Sequence, residues 1–163
     1  MLNDATSLSD IDLRIAAAKF MGWTNIGIWE EYNIPYGVPP IGWMPTDCNI
    51  DMGELDDNHA GYSLPEYGSS IEDSWALIDC LDQLGYTVIL VNAGSGNMKA
   101  VRVIDTIAAA FAVKDTLDHP RYFCESKVLA NVQDVKIEMA ITRAFIEVMN
   151  DEPTNEEKNI SRT

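Results

Sequence analysis

Apolar positions recur at helical spacing in three stretches of this chain and run without a break in a fourth. Leu8, Ile11, Ile15 and Ala18 share one helical face, which predicts a helix from about Asp10 to Met21. Ser9 followed by Asp12 resembles a capping box with Asp in place of Glu, and Gly22 is placed to end the helix. Ile71, Trp75, Ile78 and Leu81 form a second stripe and predict a helix from about Ile71 to Leu84. Ser69 and Ser70 offer caps, Glu72 and Asp73 suit the positive end of the helix dipole, and Gly85 is the stop. Ile137, Ile141, Ala144 and Val148 predict a last helix from about Val135 to Met149.

The unbroken stretch is Tyr86 to Asn92. It is apolar at both alternating sets of positions, so a central strand covered on both faces is expected. Gly94-Ser95-Gly96-Asn97 reads as a turn, and Lys99 to Asp105 as the hairpin partner. Thr106 to Asp115 fits a helix by its alanines and a strand by its alternation, with strand favoured for its second half. Arg121 to Lys127 reads as another short strand.

Trp23 to Gly68 follows neither period. Pro35, Pro39, Pro40, Pro45 and Pro65, with glycines between them, oppose long regular structure. Trp23, Trp29, Tyr36 and Trp43 are too large to leave in water cheaply, so the stretch is expected to be a long ordered loop pinned by aromatic side chains. Within it, Asp47 to His59 is the most acidic part and the expected mobile one. Asp151 to Thr163 reads as a disordered, charged tail. The order helix, loop, helix, sheet, helix predicts one α/β domain over residues 1–150. Its expected form is a small three-layer alpha-beta-alpha sandwich with an antiparallel or mixed sheet.

Charge changes this picture more than composition does. The 163 residues, 47% of them apolar, suit one self-sufficient domain. The net charge of −15 argues against direct binding to nucleic acid or to an anionic membrane surface, both of which need clustered cations. The charge is also segregated. No Lys or Arg lies between Phe20 and Met98, where there are twelve Asp and Glu, whereas Lys99 to Arg143 holds seven cations against six acids. Side-chain cations for an anionic ligand must therefore come mainly from the second half. Cys48, Cys80 and Cys124 are an odd number without a pairing motif, which suits a reducing cytoplasm. Met1 to Asp10 lacks the pattern of a signal peptide, and no apolar run is long enough to span a membrane.

Several short pieces have a familiar order: Met21-Gly22-Trp23 closing the first helix, a Pro/Gly/aromatic stretch, Tyr67-Gly68-Ser69-Ser70-Ile71-Glu72-Asp73-Ser74-Trp75 opening the second, a hairpin, and Ala140-Ile141-Thr142-Arg143-Ala144-Phe145 in the last helix. In this the chain resembles the phage ABA sandwich domain family over roughly Asp10 to Val148, and more weakly the NinX-like phage proteins. Ser74-Trp75-Ala76 departs from the Ala-Ala-Trp or Asp-Ala-Trp usual there. The resemblance implies an alpha-beta-alpha fold, a phage source and no established activity or catalytic residue.

No motif specifies chemistry. Gly94-Ser95-Gly96-Asn97 lacks the Lys-Ser/Thr of a phosphate loop, though its N–H groups beside Lys99 and Arg102 would make a small anion nest. His59 and His119 have no second histidine at ligand spacing, and the acids from Asp47 to Asp57 do not follow the calcium-loop pattern, so neither metal nor cofactor is expected. The aromatic set is the remaining candidate. Trp23, Tyr36 and Trp43 would stack on a flat ligand while Asn97, Lys99, Arg102, Arg121 and Arg143 take its anionic part. The expectation ranked first is a phage accessory binding protein, acting in the cytoplasm of an infected bacterium. It would sequester a small nucleotide-type immune signal without cleaving it, as a homo-oligomer. The alternatives are an acidic inhibitor or DNA mimic that binds a host protein, and after it an enzyme.

Overall fold

The structure, a computed structural model, describes residues 8–56, 59–93, 98–105 and 127–151. These form, in chain order, α1 (Asp10–Phe20), β1 (Thr24–Trp29), β2 (Ile34–Val38), β3 (Asp51–Asp56), β4 (His59–Ser63), α2 (Ile71–Gln83), β5 (Tyr86–Ala93), β6 (Met98–Asp105), β7 (Val128–Asp134) and α3 (Ile137–Asp151). The expected mixed α/β class and antiparallel pairing are present. The strands divide into two antiparallel sheets, of order β1-β2-β4-β3 and β5-β6-β7, packed against the helices.

Helix ends follow the local chemistry. The Ser9 hydroxyl accepts the Asp12 N–H at 3.3 Å and donates to the Asp12 carboxylate at 2.6 Å. At the other end of α1, Trp23 N–H bonds to Ala18 C=O and Gly22 N–H to Lys19 C=O, with Gly22 at φ +88°. This is the Schellman closure, and it needs the left-handed conformation that glycine adopts freely. It turns Trp23 straight back into the core. Ser70 caps α2 by accepting the Asp73 N–H.

The last helix is the hub. Met139, Ala140, Ile141, Thr142, Ala144, Phe145, Ile146 and Val148 of α3 are all buried, so it is enclosed on nearly every side instead of carrying one stripe. It packs against β6, β7, α1 and α2. Phe145 meets Phe20 of α1 edge-to-face, with ring centroids 6.3 Å apart.

Four expectations are corrected. The stretch from Trp23 to Gly68 is not one long loop but carries the whole four-stranded sheet. Its strands are only five or six residues each, short enough for the prolines to be accommodated. Pro35 lies inside β2, and Pro39-Pro40 follows its end. The acidic stretch Asp47 to His59 includes β3 and the first residue of β4. The hairpin partner of β5 is as expected, in unbroken register from Tyr86↔Asp105 to Ala93↔Met98, but among the described residues β5 is the end strand of its sheet and β6 the central one. Ile89, Leu90 and Val91 are about 40% exposed as a result. Finally, α2 turns Ser74, Leu77 and Leu81 inward and leaves Ile71 and Trp75 exposed, a rotation from the expected stripe. β7, absent from the sequence reading, supplies Ala130 and Val132 to the core opposite Val103 and Val101. The ambiguous stretch 106–115, the expected strand 121–126, the turn 94–97 and the tail 152–163 lie outside the described residues.

Candidate functional site

Among the described residues an aromatic-lined concavity forms where four chain segments meet. The exit of α1 supplies Met21 and Trp23, and the segment after β2 supplies Pro40 and Trp43. The segment after β4 supplies Pro65 and Tyr67, and the first two turns of α2 supply Glu72, Asp73 and Ala76. The cavity is about 110 Å³, largely apolar, with the two carboxylates as its charged lining.

Each wall has a local cause. The Schellman closure of α1 delivers Trp23, which is buried. Trp43 follows a tight turn in which its N–H bonds to Pro40 C=O at 3.1 Å and Gly42 takes φ +87°, the conformation a type II turn requires at that position. The indoles of Trp23 and Trp43 meet edge-to-face with centroids 5.0 Å apart, and Trp43 continues to Tyr62 at 5.3 Å. Tyr67 is buried and its phenol is hydrogen-bonded to the Trp23 side chain, where the indole N–H is the donor. Burial pushes the Tyr67 phenol well above its ordinary range, and the nearby Asp73 carboxylate adds to the shift.

Arg14 of α1, which the sequence reading passed over, holds the Pro65 wall in place. Its Nε donates to Pro65 C=O at 3.2 Å and its Nη2 to Leu64 C=O. Burial lowers the Arg14 pKa, while the carboxylates of Glu66 and Asp73 act in the opposite direction. Asp73 in turn accepts the Glu66 N–H at 2.6 Å. Asp73 is thus part of the scaffold, whereas Glu72 is exposed at the mouth.

Of the residues expected to bind a ligand, the structure brings Trp23 and Trp43 together and leaves the others elsewhere. Tyr36 sits on β2 opposite Gly27, where a Cβ would come within 2.6 Å of its hydroxyl, so this ring covers a glycine in the sheet. Lys99 and Arg102 lie on β6 of the other sheet, three residues apart and therefore on opposite faces. Arg143 is paired to Asp134 at 2.6 Å. Asn97 and Arg121 lie outside the described residues. Of the expected cations among the described residues, Lys99, Arg102 and Arg143, none lines the aromatic cavity. Among the described residues no three His, Cys, Asp or Glu gather as a metal site, and no helix is long and apolar enough to cross a membrane. Cys48 is exposed, and Cys80 is half-buried with its thiol pKa raised by burial, which disfavours the nucleophilic thiolate.

Comparison of the chain with protein-family models, with curated proteins and with solved structures gives no match.

Proposed function

We propose that this chain is a non-covalent binding protein whose partner is a basic protein, engaged through the acidic, aromatic first half of the chain. One observation carries the reading: the aromatic cavity lies in the half that lacks lysine and arginine from residue 21 to residue 98, and its charged lining is Glu72 and Asp73. A cavity of about 110 Å³ is also small for a nucleotide, since pockets for whole small molecules run from roughly 300 Å³ upward. It suits the tip of one side chain. Exposed Ile41, Met44, Ile71 and Trp75 occur in the same two segments, Pro40–Met44 and the start of α2, and enlarge the apolar area available for contact. The phage resemblance of the sequence supports a partner met in the cytoplasm of an infected bacterium. Sequestration of an anionic nucleotide has weaker support, because Lys99 and Arg102 diverge and Arg143 is already paired.

The test is capture of bacterial lysate proteins on the immobilised chain at low and high salt, with identification of what is retained. A basic protein held at low salt and released as the Debye length falls below about 10 Å supports the reading. In parallel, thermal unfolding is followed against cyclic and ADP-ribose-type nucleotides. An upward shift of several degrees with any of them, and no basic protein retained, overturns the reading in favour of nucleotide binding.

A further inference from the structure

We infer that the cavity between the Pro40–Trp43 turn and the start of α2 is a receptor for one alkyl-cation side chain, arginine or lysine, presented by the partner. The inference rests on the proposed partner chemistry and names the atoms that recognise it. Trp23, Trp43 and Tyr67 bring three aromatic rings to one small cavity, with Met21, Pro40, Pro65 and Ala76 between them. Such walls suit the methylene stem of a long cationic side chain, and indole faces attract the cation itself.

The rim selects charge. The N-terminus of α2 contributes about half a positive charge, and Arg14 contributes one more near Asp73. Against these stand Glu72 and Asp73 in the lining and Glu66 beside Arg14, three carboxylates that leave the surroundings of the cavity net negative. An anion is repelled there. An aliphatic side chain fills the walls but strips water from the Glu72 and Asp73 carboxylates without replacing its hydrogen bonds. A guanidinium or ammonium tip does both jobs, donating to the Glu72 and Asp73 carboxylates that line the cavity while the methylenes next to it contact the apolar walls. Size agrees as well: an apolar cavity of about 150 Å³ holds benzene, so about 110 Å³ takes the end of one side chain, with the remainder of its stem at the mouth.

The probes are n-butylguanidinium and n-butylammonium, titrated into the full chain with indole N–H resonances followed by NMR. The Trp23 and Trp43 signals shift saturably with a cation, and Trp29, at the far end of β1, serves as internal control. Whichever cation binds tighter identifies arginine or lysine as the natural anchor. n-Butanol and butyrate leave the signals in place. Glu72→Gln, at an exposed position that does not threaten the fold, weakens cation binding by roughly three- to tenfold, and Trp43→Leu removes most of it. Equal shifts with n-butanol, no shift with either cation, or unchanged affinity in Glu72→Gln overturn the inference. The two readings fail separately. A basic protein captured equally well by wild type and Glu72→Gln leaves the proposed function standing and removes this pocket from it. Cation binding without capture of any basic protein does the reverse.

Discussion

Ser74 and Thr142, on two different helices, direct their hydroxyls at one backbone oxygen, the carbonyl of Tyr67. The Thr142 contact is 2.7 Å, and both side chains are fully buried. Each hydroxyl also lies near the carbonyl four residues back in its own helix, Ser70 for Ser74 and Glu138 for Thr142. With one proton each, they divide it between a helical and a tertiary acceptor. The carbonyl has two lone pairs and accommodates both donors. This clamp ties the residue that floors the aromatic cavity to α2 and α3 at once.

The clamp predicts a non-additive pair. Thr142→Val or Ser74→Ala alone costs about 1 kcal/mol in urea unfolding, because the Tyr67 carbonyl keeps one of these two donors. The double change removes both and costs more than the two singles added, by about 1 kcal/mol or more, as a buried acceptor loses its partners. Strict additivity in the double-mutant cycle contradicts the shared-acceptor account.

Tyr67 also predicts alkaline behaviour. Its folded pKa is raised by burial above the ordinary value near 10, so below about pH 10 the phenol is neutral in both states and adds no pH dependence. Above that, the unfolded chain releases the proton while the folded chain keeps it. Folded stability then falls as pH climbs, by up to about 1.4 kcal/mol per pH unit from this group. Tyr67→Phe has the shallower alkaline slope, measured by urea unfolding at pH 9, 10 and 11. The same slope in both proteins assigns the loss to other groups.

Among the described residues β5 stands at the end of its sheet, and this predicts self-association, the form that the homo-oligomer expected from the sequence would take. Tyr86 to Ala93 contains no charged residue and no proline, the usual protections of an edge strand. In a chain of net charge −15 it is a stretch where two copies approach with little repulsion, and antiparallel edge pairing is self-complementary about a two-fold axis. Light scattering after gel filtration is expected to show concentration-dependent dimers, and Val91→Lys to shift them to monomers with an unchanged Tm. A wild-type chain that is monomeric at every concentration rules this out.

The sequence by itself determined the elements whose causes lie within one turn of chain. Ser9 with Asp12, Ser70 with Asp73, and the glycines at 22 and 85 act over three or four residues, so α1 and α2 were legible nearly to the residue. The antiparallel pairing of β5 with β6 was legible for a similar reason, as two apolar runs close together in sequence. Tertiary structure alone decided the rest. The strands β1 to β4 are too short for alternation to stand out among prolines and glycines, and they exist through pairing with one another across up to 27 residues, as in Thr24↔Val38 and Tyr36↔Ser63. The inward face of α2 was decided by what it meets. Ser74 turns inward because α3 and the Tyr67 carbonyl are there to receive it, and Trp75 turns out although it is the larger apolar surface. The aromatic cavity has the same origin: Trp23, Trp43 and Tyr67 are separated by 20 and 24 residues and share no local pattern. Only a helix cap, a type II turn and a clamped carbonyl, each closed independently, bring them to one place.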